Sequence, residues 1–266
     1  MSAAVACTIA GSDSGGGAGI QADLKTFAAC GVYGASAIVA LTAQNTLGVR
    51  RVMLADLEVV GDQVDAIAED LQPSAWKTGM LGSVAIVELV AERLRHHRAR
   101  NLVVDPVMVA KSGDVLLPDD AIAAMRSKLL PLADVLTPNL PEAGHLLGRS
   151  IAPVDAAEAA LELTALGPRI VVIKGGHSDA DPVVDLVFDS ETGNSIELRY
   201  PRIPGRSTHG TGCTFSAAIA SYLALGEEPL RAIGRARAYL QQALLRAPGL
   251  GTGHGPLGHS EFAERR

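Results

Sequence analysis

The sequence predicts an α/β fold, with one mostly parallel sheet and helices on both faces. Three observations support this fold class. Short apolar runs typical of buried strands alternate with longer segments of helical periodicity along nearly the whole chain. The runs stop at Gly, Pro or polar residues, where strands commonly enter loops. The chain has 266 residues, 48% of them hydrophobic, without repeats or low-complexity linkers, so we expect a single domain over 1–266.

Hydrophobic periodicity and the positions of Gly and Pro predict the helices and strands in the first half of the chain. The first strand is an apolar run that stops at a glycine, and the helix after it is closed by Gly31. Apolar residues at Val60, Val64 and Ile67 keep helical spacing through the next helix. Pro106 follows the last strand of this half. The predicted strands are 5–10, 33–43, 52–54, 76–78 and 102–105, and the predicted helices are 20–30, 57–71 and 84–96.

The second half continues the alternation with one interruption. Residues 170–174 are rich in β-branched side chains and predict a strand. Two further runs, joined through Thr192-Gly193-Asn194, predict a small β-hairpin flap or an edge element of the sheet. Leu225-Gly226 is a C-cap signal for the helix that begins at Thr211. The predicted helices are 121–130, 142–147, 155–166, one from 211 and 229–246, and the strands are one near 135, 170–174, 183–189 and 195–200.

Composition excludes several classes of protein. A net charge of −6 and a pI of about 5.6 argue against a nucleic-acid-binding or anionic-membrane surface. Cys7, Cys30 and Cys213 are odd in number and lack CxxC spacing, so neither a disulfide framework nor a zinc site is expected. The N-terminus has no secretory pattern and no apolar run reaches the length of a membrane span, which favours a cytoplasmic protein.

The stretch from Thr208 to Ser216 is the first candidate site. It follows a loop broken by Pro and Gly and precedes an apolar helix, so residues 210–213 form the first helical turn. The free N–H groups and dipole of such a turn bind anions, and glycines allow close approach of a charged ligand. A thiol at Cys213 is expected to have a lowered pKa there. A plain Thr-capped helix is the alternative interpretation.

Loops that follow strands at the carboxyl edge of the sheet hold the other candidates. The glycine-rich 11–19 loop lacks the Lys-Ser/Thr of a P-loop, and no acidic residue follows at the position typical of a dinucleotide site. A tight strand-to-helix turn, with Asp13 and Asp23 as solvated or capping carboxylates, is the simpler interpretation. Asp105 directly precedes a proline at a strand end, where a carboxylate can hold Mg²⁺ through water.

Two further loop residues each have two possible roles. Glu142 lies three residues after Asn139, with Pro141 between them, which is typical of a capping box, although metal binding is also possible for this carboxylate. Lys174 stands at a strand end before two glycines, which suits a phosphate ligand, although a lone lysine is usually solvated.

Ten short motifs are spread in order along nearly the whole chain. They are Ala10-Gly11-Ser12-Asp13, 16–26, Ala43-Gln44-Asn45-Thr46, Lys77-Thr78-Gly79-Met80-Leu81, Asp105-Pro106-Val107-Met108, Lys111-Ser112-Gly113-Asp114, 137–143, Lys174-Gly175-Gly176-His177, 208–216 and 251–256. In this order they resemble the hydroxymethylpyrimidine/phosphomethylpyrimidine kinases of thiamine biosynthesis, a family with the ribokinase-like fold. Ser207 departs from the Asn that such sequences often have before Thr-His-Gly-Thr-Gly-Cys.

The resemblance implies a three-layer fold, ATP-dependent phosphorylation of the hydroxymethyl group of the pyrimidine, and a second transfer that gives the diphosphate. It also implies Mg²⁺ as a cofactor and a homodimer. Cys213 is then expected to be a proton acceptor of modest effect, and Gln44 the residue that reads the aminopyrimidine edge. The implied residues are Gly210, Thr211, Gly212 and Cys213 for catalysis, Gln44, Asp23, Gly11, Met80 and Val107 for the substrate, Lys174 and Thr208 for ATP, and Asp105 and Glu142 for the metal ion.

Two other functions remain open at this point. A pyridoxal kinase would use the same hydroxymethyl chemistry with different pocket contacts. A non-catalytic vitamin- or nucleotide-binding protein could share the fold, but it would have no use for Cys213, Asp105 and Lys174 together.

Overall fold

A computed structural model describes residues 3–109, 113, 116–176 and 181–260. Its first half contains four of the parallel strands and three helices. The elements are β1 (Val5–Asp13), α1 (Gly19–Ala29), β2 (Tyr33–Asn45), β3 (Gly48–Leu54), α2 (Leu57–Asp70), β4 (Ala75–Thr78), α3 (Val84–His96) and β5 (Leu102–Val104).

The second half supplies the remaining strands and helices. The helix predicted over 121–130 is a short α-helix, α4 (Asp119–Ala124), followed by a π-helical turn (Met125–Leu129) and a 3₁₀ turn (Leu130–Leu132). In the part of the chain that the structure describes, no helix is long and apolar enough to cross a membrane. The elements are α4 (Asp119–Ala124), β6 (Val135–Leu136), α5 (Leu140–Leu147), α6 (Ala156–Thr164), β7 (Ile170–Ile173), β8 (Val183–Asp189), β9 (Asn194–Tyr200), α7 (Thr211–Ala224) and α8 (Pro229–Leu245).

The strands form one sheet in the order β3-β2-β1-β4-β5-β6-β7-β8-β9. The six strands from β2 to β7 in this order are parallel, and β3, β8 and β9 are antiparallel to their neighbours. The mostly parallel sheet is therefore confirmed. The predicted hairpin exists as β8 and β9, but both strands continue the sheet edge and do not form a separate flap. A second hairpin, β2 and β3, closes the other edge.

Helices cover both faces of this sheet, which makes three layers. The side chains of Leu102 and Val104 belong to the core that includes α2, α3, α4, α5 and α6, whereas Val103 belongs to the core formed with α1, α7 and α8. Successive residues of a strand point to opposite faces, so a strand buried on both sides is a continuous apolar run. This explains why the short strands were recognisable in the sequence.

Candidate active site

The amino end of α7 lies at the carboxyl edge of the sheet. Gly210 precedes the helix with a φ of 81°, and a Cβ there would stand 1.9 Å from the carbonyl oxygen of Gly17, so only glycine fits. The first intrahelical bond runs from the Thr214 N–H to the Gly210 carbonyl at 2.8 Å. The preceding N–H groups, those of residues 211–213, therefore point out of the helix end and are able to bind an anion.

Three charged side chains face this helix end. Lys174 Nζ lies 2.9 Å from Asp105 Oδ1 and 3.7 Å from Glu142 Oε2. A Cβ on Gly212 would stand 3.3 Å from both Asp105 Oδ2 and Lys174 Nζ, so this charged group lies directly against the first turn of α7. Asp105 follows β5, Lys174 follows β7 and Glu142 lies in α5, so the sheet edge brings together residues distant in the chain.

The ammonium group of Lys174 is shared by two buried carboxylates, those of Asp105 and Glu142. Burial alone would lower the pKa of Lys174, but the charges of Asp105 and Glu142 outweigh burial and raise that pKa. Burial raises the pKa of Glu142 from 4.5 to about 7 although Lys174 opposes the shift, and the charge of Asp105 adds to it. Lys174 therefore stays charged, while Glu142 exchanges a proton near neutral pH.

Glu142 also has the role that its sequence context predicts. Its N–H donates to Asn139 Oδ1 at 2.8 Å, and its Oε2 accepts from the Asn139 N–H at 2.8 Å. These bonds complete a capping box at the start of α5, so that prediction is confirmed. The same carboxylate faces Lys174, which means that capping and a place in the site are compatible.

A second ion pair lies beneath the site. Lys77 and Asp23 are fully buried, with Lys77 Nζ 2.8 Å from Asp23 Oδ2, and the Thr8 hydroxyl donates to the same oxygen at 2.7 Å. This corrects two expectations: Asp23 is neither a solvated carboxylate nor a wall of the cavity, because its side chain is turned inward to neutralise Lys77. Lys77 itself lines the cavity, and no role was predicted for it. Its only local signal is a lysine inside a short buried strand.

Burial also decides the state of Cys213. Desolvation raises the pKa of its thiol to about 12, although the nearby charge of Lys77 acts in the opposite direction. The lowered pKa expected at a helix N-terminus is therefore wrong. At neutral pH the group is a thiol, which is a weak hydrogen-bond donor.

A buried aspartate organises the loop after β1. Asp13 accepts hydrogen bonds from the N–H groups of Gly15, Gly17 and Ala18 at 2.7, 3.0 and 2.8 Å, and its Oδ2 lies 2.8 Å from His209 Nε2. Burial would raise its pKa, but the bond to His209 and the N–H donors of Gly15 and Ala18 outweigh burial and lower that pKa. Asp13 is thus the capping carboxylate of a tight turn, as one interpretation held. Its link to His209 was not predicted.

Another buried pair fixes the backbone beside Lys174. The Gly175 N–H donates to Asp185 Oδ1 at 2.8 Å, and Arg237 Nε donates to Asp185 Oδ2 at 2.7 Å. A Cβ on Gly175 would stand 1.9 Å from the Val184 carbonyl oxygen, so glycine lets β8 approach the loop. An ion pair between α8 and β8 therefore holds the segment that presents Lys174, and no sequence signal pointed to it.

These groups surround one cavity of about 520 Å³. Every predicted site residue except Asp23 lines it, whereas Lys111, Ser112, Asp114 and His177 of the quoted motifs lie outside the described residues. The lining residues predicted for substrate are Gly11, Gln44, Met80 and Val107, and those predicted for phosphate, nucleotide or metal are Asp105, Glu142, Lys174, Thr208, Gly210, Thr211, Gly212 and Cys213.

A helix end with free N–H groups beside a lysine and two carboxylates, at the carboxyl edge of such a sheet, fits a small-molecule kinase of the ribokinase-like fold. The phosphomethylpyrimidine kinase profile matches residues 13–258, and the chain belongs to this family. The family resemblance drawn from the motifs is thereby confirmed.

Two relatives of similar length have the name of this kinase family, and a solved structure of similar fold is a pyridoxal kinase. The hydroxymethylpyrimidine/phosphomethylpyrimidine kinase of Bacillus subtilis strain 168 is 45% identical over 264 residues, which are 98% of this chain and 97% of that protein. The one from Rhizobium meliloti strain 1021 is 51% identical over 261 residues, with coverages of 96% and 97%. A solved ADP complex of Bacillus subtilis pyridoxal kinase has a TM-score of 0.90 and 40% identity, covering 97% of this chain and 98% of that one.

Proposed function

We propose that the protein transfers the γ-phosphoryl group of ATP to the hydroxymethyl group of 4-amino-5-hydroxymethyl-2-methylpyrimidine, and then a second phosphoryl group to the monophosphate. The observation that carries this proposal is the amino end of α7, which faces Lys174 in the same cavity as Gln44. Family membership supports the choice of substrate. The diphosphate product would serve thiamine biosynthesis, as the resemblance implies.

In the first transfer, the alcohol oxygen forms a bond to the γ-phosphorus as the bond to the bridging oxygen of ADP breaks. The N–H groups of residues 211–213 and the ammonium of Lys174 stabilise the charge on the transferred group, the dominant contribution in such reactions. Thr208 contacts the ATP phosphates. Because Cys213 is a neutral thiol, it contributes shape and weak donation, and the alcohol proton leaves to a phosphoryl oxygen or to solvent.

Gln44 reads the aminopyrimidine edge in this proposal, and three residues shape the space around the ring. A Cβ on Gly11 would stand 3.1 Å from Met80 Sδ, so glycine leaves room beside the methionine. The Gly11 N–H donates to the Met80 carbonyl at 3.2 Å, which ties the two walls together. Val107 lines the cavity as well. These contacts favour a flat ring with one polar edge.

Asp105 and Glu142 fit a magnesium ion as a partial ligand set. Within the described residues, no group of three or more His, Cys, Asp or Glu side chains is placed to hold a metal ion. Mg²⁺ in kinases commonly takes one or two carboxylates together with substrate phosphates and water. The two carboxylates would therefore contact the ion alongside the nucleotide. When bound, Mg²⁺ neutralises phosphate charge.

A homodimer is part of the proposal. Seven apolar side chains within residues 41–59 are exposed, most of them on or beside the edge strand β3. Exposed apolar surface on a strand edge favours association. Light scattering after size exclusion tests this, and a monomer at micromolar concentration would contradict it. The residues are Leu41, Leu47, Val52, Met53, Leu54, Leu57 and Val59.

Incubation with Mg·ATP and the aminopyrimidine alcohol, followed by mass spectrometry, tests the activity. We expect two successive additions of one phosphoryl group, and an unmodified alcohol would overturn the proposal. Pyridoxal kinase activity is the second candidate, because the pyridoxal kinase complex has a closely similar fold. Conversion of pyridoxal alone would favour it, and retention of ATP without turnover would favour a binding protein.

A further inference from the structure

Gln44 lies between two neighbours whose hydrogen-bonding roles are set by their own partners. The structure places Gln44 Nε2 3.3 Å from His209 Nε2, and it places Gln44 Oε1 3.1 Å from Thr42 Oγ1. The two ends of an amide have nearly the same shape, so the partners decide which end is oxygen and which is nitrogen.

Asp13 fixes the role of His209. Its Oδ2 accepts the N–H groups of Gly17 and Ala18 and lies 2.8 Å from His209 Nε2. A carboxylate that accepts backbone N–H groups has no hydrogen to give, so Nε2 carries a hydrogen and donates it whether the imidazole is neutral or protonated. Nε2 then has no free lone pair, so an amide NH₂ group beside it would face a second donor. The end of the Gln44 amide beside Nε2 is therefore the acceptor, Oε1, which shares the hydrogen with Asp13 in a three-centre contact.

Thr42 requires the same orientation independently. Its Oγ1 lies 3.0 Å from the Ser12 carbonyl oxygen, which can only accept, so the single hydroxyl hydrogen is directed there. Toward Gln44 the hydroxyl oxygen then offers a lone pair. The amide end beside Thr42 must therefore be the donor, Nε2. With the reverse orientation, donor would face donor at His209, and the hydroxyl would need a second hydrogen.

We propose that Asp13 and His209 are positioning residues which, together with Thr42, hold the Gln44 amide with Oε1 beside His209 and Nε2 beside Thr42. This inference rests on the proposed role of Gln44 in reading the substrate. Oε1 has a second lone pair and Nε2 a second hydrogen, and Gln44 lines the cavity together with Thr42 and His209.

The site therefore presents one acceptor and one donor in a fixed order. They match a pyrimidine edge with an amino group next to a ring nitrogen. The 4-oxo counterpart of the substrate exchanges donor and acceptor along that edge. An amide that was free to rotate would accommodate either edge, whereas a fixed amide accepts one and opposes the other.

The ratio of kcat/KM for the 4-amino alcohol to that for its 4-oxo counterpart measures this effect. We expect the wild type to prefer the amino compound by about 100-fold or more, because both hydrogen bonds are mismatched in the oxo compound. His209→Leu removes the donor and frees the amide, so the ratio should fall to roughly tenfold or less. His209→Gln keeps an N–H at similar reach and should retain most of the preference. A merely structural role would lower both kcat/KM values and leave their ratio unchanged.

Thr42→Val provides an independent test, with Thr42→Ser as the matched control that keeps the hydroxyl. The valine variant should lose preference and the serine variant should keep it, and this pair decides the question if His209→Leu does not fold. A wild type that does not discriminate, or an unchanged ratio in folded Thr42→Val, overturns the positioning role while the kinase activity stands. Failure of the wild type to phosphorylate the amino alcohol overturns the proposed function together with this inference.

Discussion

Replacing Cys213 by alanine tests whether a thiol beside the reacting phosphoryl group takes up a proton. Burial raises the pKa of this thiol to about 12, so at pH 7 the group is almost entirely a neutral thiol. A group in this state gives little help to an alcohol that must lose its proton. We therefore expect Cys213→Ala to slow the reaction by less than about tenfold, well below the effect of a general base, which is roughly a hundredfold or more.

The two transfers allow a clean assay for this variant. The first nucleophile is an alcohol, whereas the second is a phosphate monoester with a second pKa of about 6, which is already largely ionised at neutral pH. Single-turnover rapid-quench measurements on the alcohol and on its monophosphate should give the same small factor for Cys213→Ala. Cys213→Ser serves as the control that keeps a donor of similar size. A hundredfold loss in the first transfer with the second unaffected would refute the burial argument and make Cys213 the proton acceptor.

Three further substitutions test the cation, the helix end and the carboxylate separately. Lys174→Met should raise the KM for ATP at least about tenfold, because a charged phosphate ligand is lost. It should also lower the melting temperature, because two buried carboxylates lose their cation. Lys128→Met, at an exposed lysine, should change neither quantity, and equal effects of the two variants would contradict the assignment. Gly210→Ala should abolish turnover, because its Cβ would clash with the Gly17 carbonyl oxygen. Gly226 has a similar φ but open space around it, so the control Gly226→Ala should affect only stability. Full activity of Gly210→Ala would show that the helix end is not the phosphate site. Glu142 has a raised pKa in the folded protein, so its contribution is favourable below pH 4.5 and is lost as the pH rises through about 7. Urea unfolding at pH 5 and pH 8 should show the wild type losing stability relative to Glu142→Gln over this interval, and a constant difference would contradict the shift.

The ends of the strands show how far sequence patterns reach. The apolar runs located β1 and β2 correctly, because β1 is buried along almost its whole length and β2 has buried apolar residues through its middle. Both strands nevertheless continue past the predicted ends, with the polar Ser12 of β1 paired to Leu41 and the polar Gln44 of β2 paired to Val49. These polar residues keep a strand conformation because a neighbouring strand satisfies their backbone. Such pairing depends on tertiary contacts that no local pattern contains.

The same limit explains which site residues were predicted. Loops at strand ends and family motifs pointed to Lys174 and Gln44, because both lie within distinctive short stretches. The pairs that support the site join distant positions: Asp13 and His209 are 196 residues apart, and Lys77 is 54 residues from its partner carboxylate. Both members of each pair lie within motifs quoted above, but no local pattern shows which side chain contacts which. Their function follows from burial, which only the fold reveals.

Charge at the proposed phosphate site illustrates the same point. The chain is acidic, and among the described residues the two lysines of the cavity, Lys77 and Lys174, are each paired with a carboxylate. The buried cluster therefore offers an incoming phosphate no excess of positive charge, so the N–H groups of residues 211–213 must supply much of the attraction. Glu142 adds a further effect. With a pKa of about 7, it is partly protonated at neutral pH in the free protein. A magnesium ion held by Asp105 and Glu142 would favour the ionised carboxylate and would add positive charge beside the phosphate.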